Sequence, residues 1–143
     1  LAFLAAPSSA NMLAMITDET GTGLNVFNTS PTLVTPNIGA AVASSLQRGA
    51  VVTKTLDFAV ADTENWISCN GGATITVTLP SAATFPGREI MLKTIAAFTV
   101  VSASANVLPL AGGAAGTAIL AATAGKYATL VSDGTDWVIM AGN

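Results

Sequence analysis

Few side chains in this sequence could carry chemistry, and they stand far apart. The chain has no histidine, so the Ser-His-Asp and Cys-His pairings of nucleophilic catalysis cannot form. A serine nucleophile would have to borrow Lys54, Lys93 or Lys126 as its base, and no local motif places a serine beside any of them. Paired carboxylates could support acid-base cleavage of a glycoside. The available pairs are Asp18-Glu19, Asp62 with Glu64, and Asp133 with Asp136. Each has a simpler explanation at the end of a helix or in a turn. Asp133-Gly134-Thr135-Asp136 offers two hard oxygen ligands, where calcium needs six to eight. Zinc lacks its histidine and cysteine ligands. Gly21-Thr22-Gly23 and the Gly112-Gly113 run miss the remaining residues of a dinucleotide or phosphate loop. The expectation is therefore a protein that is not an enzyme, with no catalytic, cofactor-binding or metal-binding residues and no cofactor.

Two further residue types deserve weighing. Cys69 is the only cysteine, so no disulfide forms within the chain. It lies in the apolar run Trp66-Ile67-Ser68-Cys69, where a buried thiol is expected. Trp66, Tyr127 and Trp137 could stack on sugars, but each sits among apolar neighbours in a strand candidate, so core packing is expected for all three. If one ring faces outward, the candidate is Trp137, beside the Asp133-Gly134 turn.

The composition points to what must hold such a chain. Only 9% of its 143 residues are charged, against about 25% in ordinary soluble domains. Mean hydropathy is +0.62. The apolar excess is aliphatic, since aromatic residues make up only 6%. A lone globule of this kind would expose apolar patches and associate, so an obligate assembly of identical copies is expected. A membrane span is not expected. The uncharged stretch between Lys93 and Lys126 contains Pro109, Gly112, Gly113, Gly116 and Gly125, which suit strands and turns better than a spanning helix. The net charge of −3, with no lysine or arginine cluster, excludes nucleic acid as an expected partner. The start at Leu1, with no basic segment before the apolar residues, fits a processed or partial chain.

The pattern divides the chain into three zones. Residues 1–27 hold a short helix candidate, with Ser8 and Ser9 as caps and Met12, Leu13 and Ile16 on one face. Two turns of helix are unstable alone, so this zone reads as an attachment segment. Residues 28–49 contain Pro31 and Pro36, which impose an extended path and read as an arm or neck. Residues 50–143 read as a β-domain. Its strand candidates are Leu56–Val60, Trp66–Cys69, Thr74–Leu79, Glu89–Ile95, Phe98–Ser102, Thr117–Ala121, Lys126–Ser132 and Trp137–Met140. Ile75, Val77 and Leu79 share one face by alternation. Turn signals stand at Asn70-Gly71-Gly72, Phe85-Pro86-Gly87, Ala111-Gly112-Gly113 and Asp133-Gly134. Short strands at this spacing indicate a β-sandwich or barrel. The expected fold is mainly β: a short N-terminal helix and extended arm followed by a C-terminal β-sandwich or barrel, assembled as a homotrimer.

Two stretches carry a resemblance. Pro7-Ser8-Ser9-Ala10-Asn11, Thr17-Asp18-Glu19-Thr20-Gly21-Thr22-Gly23 and Val26-Phe27 lead into Ser30-Pro31-Thr32-Leu33-Val34-Thr35-Pro36-Asn37-Ile38-Gly39. Together they resemble a module repeated in bacteriophage tail-fibre and related virion proteins. Val77-Thr78-Leu79-Pro80, Pro86-Gly87-Arg88 and Leu130-Val131-Ser132-Asp133-Gly134-Thr135-Asp136-Trp137 are similar to a β-domain found at the C-terminal end of such fibres. The resemblance implies a virion location and a homotrimeric fibre, spike or surface projection. Its implied partners are other tail, baseplate or capsid proteins, with a contribution to host attachment through surface glycan. The Gly/Ala-rich segment from Ala111 to Gly125 departs from what a receptor-reading loop would need. The alternatives are a capsid decoration protein that clamps the shell and a carbohydrate-binding receptor module.

Overall fold

Alternation along the strands is the first thing the structure bears out. In a computed structural model describing residues 48–143, Ile75 and Val77 are fully buried and Leu79 nearly so, while Thr76 and Thr78 point away from the core. The same two-residue period runs through the longer strands. Ile90, Leu92 and Thr94 are buried between Glu89, Met91 and Lys93; Ala128, Leu130 and Ser132 are buried between Tyr127, Thr129 and Val131. Strands of this kind must bury one face against another layer.

The layers are two β-sheets. The strands, in chain order, are β1 (Val52–Lys54), β2 (Phe58–Ala59), β3 (Trp66–Cys69), β4 (Ile75–Thr78), β5 (Glu89–Thr94), β6 (Val100–Ser102), β7 (Val107–Leu108), β8 (Ala118–Leu120), β9 (Tyr127–Ser132) and β10 (Trp137–Gly142), with a single 3-10 turn at Ala82–Thr84. The larger sheet has the order β1-β3-β5-β9-β10-β7, and the smaller has the order β2-β4-β6-β8. The mainly β, two-layered character expected from the sequence is present. Of the strand candidates, only Trp66–Cys69 is reproduced to the residue. β1 and β7 were not among them, and Leu56–Val60 shrinks to two residues.

The connectivity is more specific than the words sandwich or barrel. Consecutive strands alternate between the sheets: β1, β3 and β5 pair in parallel in one, and β2, β4 and β6 pair in parallel in the other. The chain thus winds through three stacked coils. Corner bonds continue the stack between coils, from the Asn70 N–H to the Lys54 carbonyl (2.8 Å) and from the Ile95 N–H to the Cys69 carbonyl (2.9 Å). Asn70-Gly71-Gly72 is therefore a corner between sheets and not a hairpin turn. At Gly71 a Cβ would lie 3.0 Å from both the Thr55 carbonyl oxygen and Ile75 Cδ1, which explains the glycine. The coils end where the β9–β10 hairpin inserts between β5, to which β9 runs antiparallel, and the outer strand β7, to which β10 runs parallel. Asp133-Gly134 forms that hairpin's turn, with Gly134 at φ 94°.

The register aligns the inward side chains into rows. Ile67, Leu92 and Ala128 form one row, and Ile90, Leu130 and Ile139 form the next. Trp137 closes the core, fully buried, with its indole N–H donating to the Pro80 carbonyl at 2.9 Å. The buried hydroxyls are all satisfied. Thr94 donates to the Thr123 and Lys126 carbonyls, Ser102 to the Asn106 amide oxygen and Ser132 to the Ala82 carbonyl. A buried hydroxyl left unpaired would cost about 1–3 kcal/mol. The helix expected around Met12 to Ile16, and the arm except for Arg48 and Gly49, lie outside the described residues. No helix among the described residues is long and apolar enough to cross a membrane.

Candidate functional site

Of the residues singled out for chemistry, Lys54, Glu64 and Asp133 have side chains engaged in structural contacts. Glu64 lies in the β2–β3 loop, where one carboxylate oxygen meets the Lys54 ammonium at 2.6 Å and the other accepts the Ala61 N–H at 3.0 Å. The Lys54 hydrogen bond holds the Glu64 carboxyl below the usual carboxylate range. Asp62, two residues earlier, is mostly exposed and 3.6 Å from Arg88 Nη1. Asp133 Oδ1 accepts the N–H groups of Thr135 (2.8 Å) and Asp136 (2.7 Å). Backbone hydrogen bonds at Asp136 and then Thr135 keep its carboxyl below the ordinary range. The Asp133 carboxylate thus serves the turn. Cys69 is buried, and burial pushes its thiol up to about 11, so no thiolate nucleophile is available near neutral pH. Asp18-Glu19 lies outside the described residues. Among the described residues no group of three histidine, cysteine or acidic side chains could hold a metal ion.

Arg88, which the sequence marks only within Pro86-Gly87-Arg88, is a structural anchor. Its side chain is only 10% exposed. Nη2 donates to the Ala61 carbonyl at 2.7 Å and the Glu64 carbonyl at 3.0 Å, and the guanidinium lies 5.0 Å from the centre of the Phe85 ring. Nη2 carries two N–H donors in the fixed guanidinium plane, which suits this double donation better than a freely rotating ammonium. Arg88 thereby ties the β2–β3 loop to the start of β5. The signal that could have found it was its isolation: one arginine between a glycine turn and a strand, in a chain with five cations in all.

The three aromatic candidates divide in a way the sequence did not indicate. Trp137, the candidate if one ring were to face outward, lies in the core as expected for all three. The alternation places it inward because Ser132, its partner across the hairpin, is also inward. Trp66 and Tyr127 are half-buried on the outer face of the six-stranded sheet. Core packing, expected for all three, holds for Trp137 alone.

That outer face is the most distinctive surface of the described residues. Register sets Trp66 beside Met91, and Met91 beside Thr129. The neighbouring row runs Glu89, Val131, Val138, Leu108. A third row runs Ser68, Lys93, Tyr127. Charge sits only at the ends. Glu89 is paired with Arg48 at 2.9 Å, and Lys93 is exposed at the far end of β5. A β-bulge between Ile139 and Ala141 turns Met140 outward, 63% exposed. The outer face of the four-stranded sheet is quite different: Ala59, Thr76, Thr78, Val101 and Ala118. An open groove of about 490 Å³ lies at the corner formed by Thr55–Asp57 and Gly72–Ile75, but its one carboxylate, Asp57, already accepts the Thr76 N–H at 2.7 Å. No protein-family model matches the chain, and no curated protein matches it either. The outer face of the larger sheet is therefore the surface from which function must be read.

Proposed function

We propose that this chain is a structural component of a bacteriophage virion, working as a homotrimeric fibre, spike or surface projection. The observation that carries the reading is the pairing of a 9% charged composition with a sheet whose outer face presents Trp66, Met91, Val131, Val138 and Leu108. A chain this poor in charge keeps its apolar surface from water by association, at roughly 25 cal/mol per Å² buried. The resemblance of residues 7–39 and 77–137 to fibre modules supplies the particle context. The two-sheet β-domain supports a mechanical role, because register-locked strands and an arginine-tied loop resist shear better than isolated hairpins. Contribution to host attachment belongs to the same reading.

The test has two parts. Light scattering on the full chain, dilute and without detergent, is expected to give about three times the 14.2 kDa chain mass. Antibodies raised against the chain should label phage particles in electron micrographs, at the tail, the baseplate or the shell. A monomeric mass, or particles that carry no label, would overturn the proposal. Label confined to the shell would select capsid decoration within it.

A further inference from the structure

We infer that copies of this chain meet across the outer face of the six-stranded sheet. The inference rests on the homotrimer reading above and names the surface through which it is realised. An antiparallel sheet with one wet face alternates apolar and polar residues, whereas a sheet covered on both faces reads as continuous apolar runs. β10 opens Trp137-Val138-Ile139-Met140, and β9 contains Leu130-Val131. Val131 and Val138 are cross-strand partners pointing away from the core, and Leu108 extends their row onto β7. The inner face already has its covering in the four-stranded sheet. The outer face carries the residues of a second apolar layer.

A copy of the chain fits this face better than another occupant. Its centre, formed by Trp66, Met91, Thr129, Val131, Val138 and Leu108, is free of charge, while the Arg48–Glu89 pair and Lys93 stand at its ends. A charge-depleted centre with a polar rim is the anatomy of protein interfaces. Aliphatic side chains outnumber aromatic ones there, which suits packing against another sheet more than stacking on a sugar. Five strands about 4.8 Å apart, with three outward rows about 6.6 Å apart, span on the order of 500 Å² in projection. The outer face of the four-stranded sheet, with its alanines and threonines, carries only Val101 as a larger aliphatic side chain.

The experiment places a charge at the centre of the face in the full chain. Val138→Lys is expected to reduce the light-scattering mass from three chains to one, with the β-sheet circular dichroism of the parent retained. Thr78→Lys, on the outer face of the four-stranded sheet, should leave the trimeric mass unchanged. Trp66→Ser provides the same reading if Val138→Lys does not fold, since Trp66 lies near the sheet edge and outside the core. A trimeric mass for the folded Val138→Lys or Trp66→Ser chain would overturn the inference and leave the homotrimer reading standing. A monomeric parent would overturn both. A trimeric variant that has lost binding to an anionic polysaccharide bound by the parent would assign the face to a glycan, against the inference.

Discussion

Arg88 shows how much a single side chain supports in a protein with so few charges. Removing it strips two charge-assisted hydrogen bonds from the β2–β3 loop and the stacking on Phe85. Arg88→Ala is expected to cost about 2–4 kcal/mol, read as a lower urea midpoint. Glu64 adds a pH signature. Its carboxyl is held below the unfolded value of about 4.3 by Lys54, so its contribution is complete above that value and is lost as the pH falls through the lower folded value. The stability difference between the parent and Glu64→Gln should be constant from neutral pH down to about 5 and shrink below about 4.3, as followed by unfolding at a series of pH values. Cys69, with its thiol pushed up to about 11, should resist thiol reagents at mildly alkaline pH and react fully once the chain is unfolded.

Among the elements, the β9–β10 hairpin is the closing piece, and its geometry leaves little slack. Beyond the bulge at Met140, Gly142 pairs with Ala128, and a Cβ there would meet the Tyr127 carbonyl oxygen at 2.8 Å. Backbone cannot move away as a flexible side chain could. Gly142→Ala is therefore expected to destabilise the domain by about 1–3 kcal/mol, with early loss of amide-exchange protection in β10. The edge strands follow a different logic. β1, β2, β7 and β8 have only two or three residues each, and short edges are poor templates for unwanted strand addition. The proposed association therefore uses a sheet face and not a strand edge.

For the whole molecule, the low charge makes a prediction about what drives assembly. Ion pairs across an interface weaken as salt screens them, whereas apolar burial does not, and salting-out ions strengthen it. The dissociation constant of the proposed trimer, measured by sedimentation, should stay level or fall as salt rises from low to molar concentration. An assembly held by Lys93 and the acidic residues would instead loosen.

Alternation, turn residues and composition made much of this protein legible in advance, because each depends on neighbours along the chain. The inward face of Ile75, Val77 and Leu79, the Asp133-Gly134 hairpin, the buried Cys69 and the two-layered β architecture all follow from local periodicity and the need to hide apolar area. Long-range pairing was not legible. Parallel coils arise from partners up to 25 positions apart, as between Ile67 and Leu92, and nothing local distinguishes a corner such as Asn70-Gly71-Gly72 from a hairpin. The direction of the aromatic rings depended on the same register: a shift of one residue exchanges the faces, so tertiary pairing alone sent Trp137 into the core and left Trp66 and Tyr127 on the outside. Sequence determined which side chains needed cover; the tertiary structure decided which obtained it within one chain, because register is a property of two strands and not of either alone.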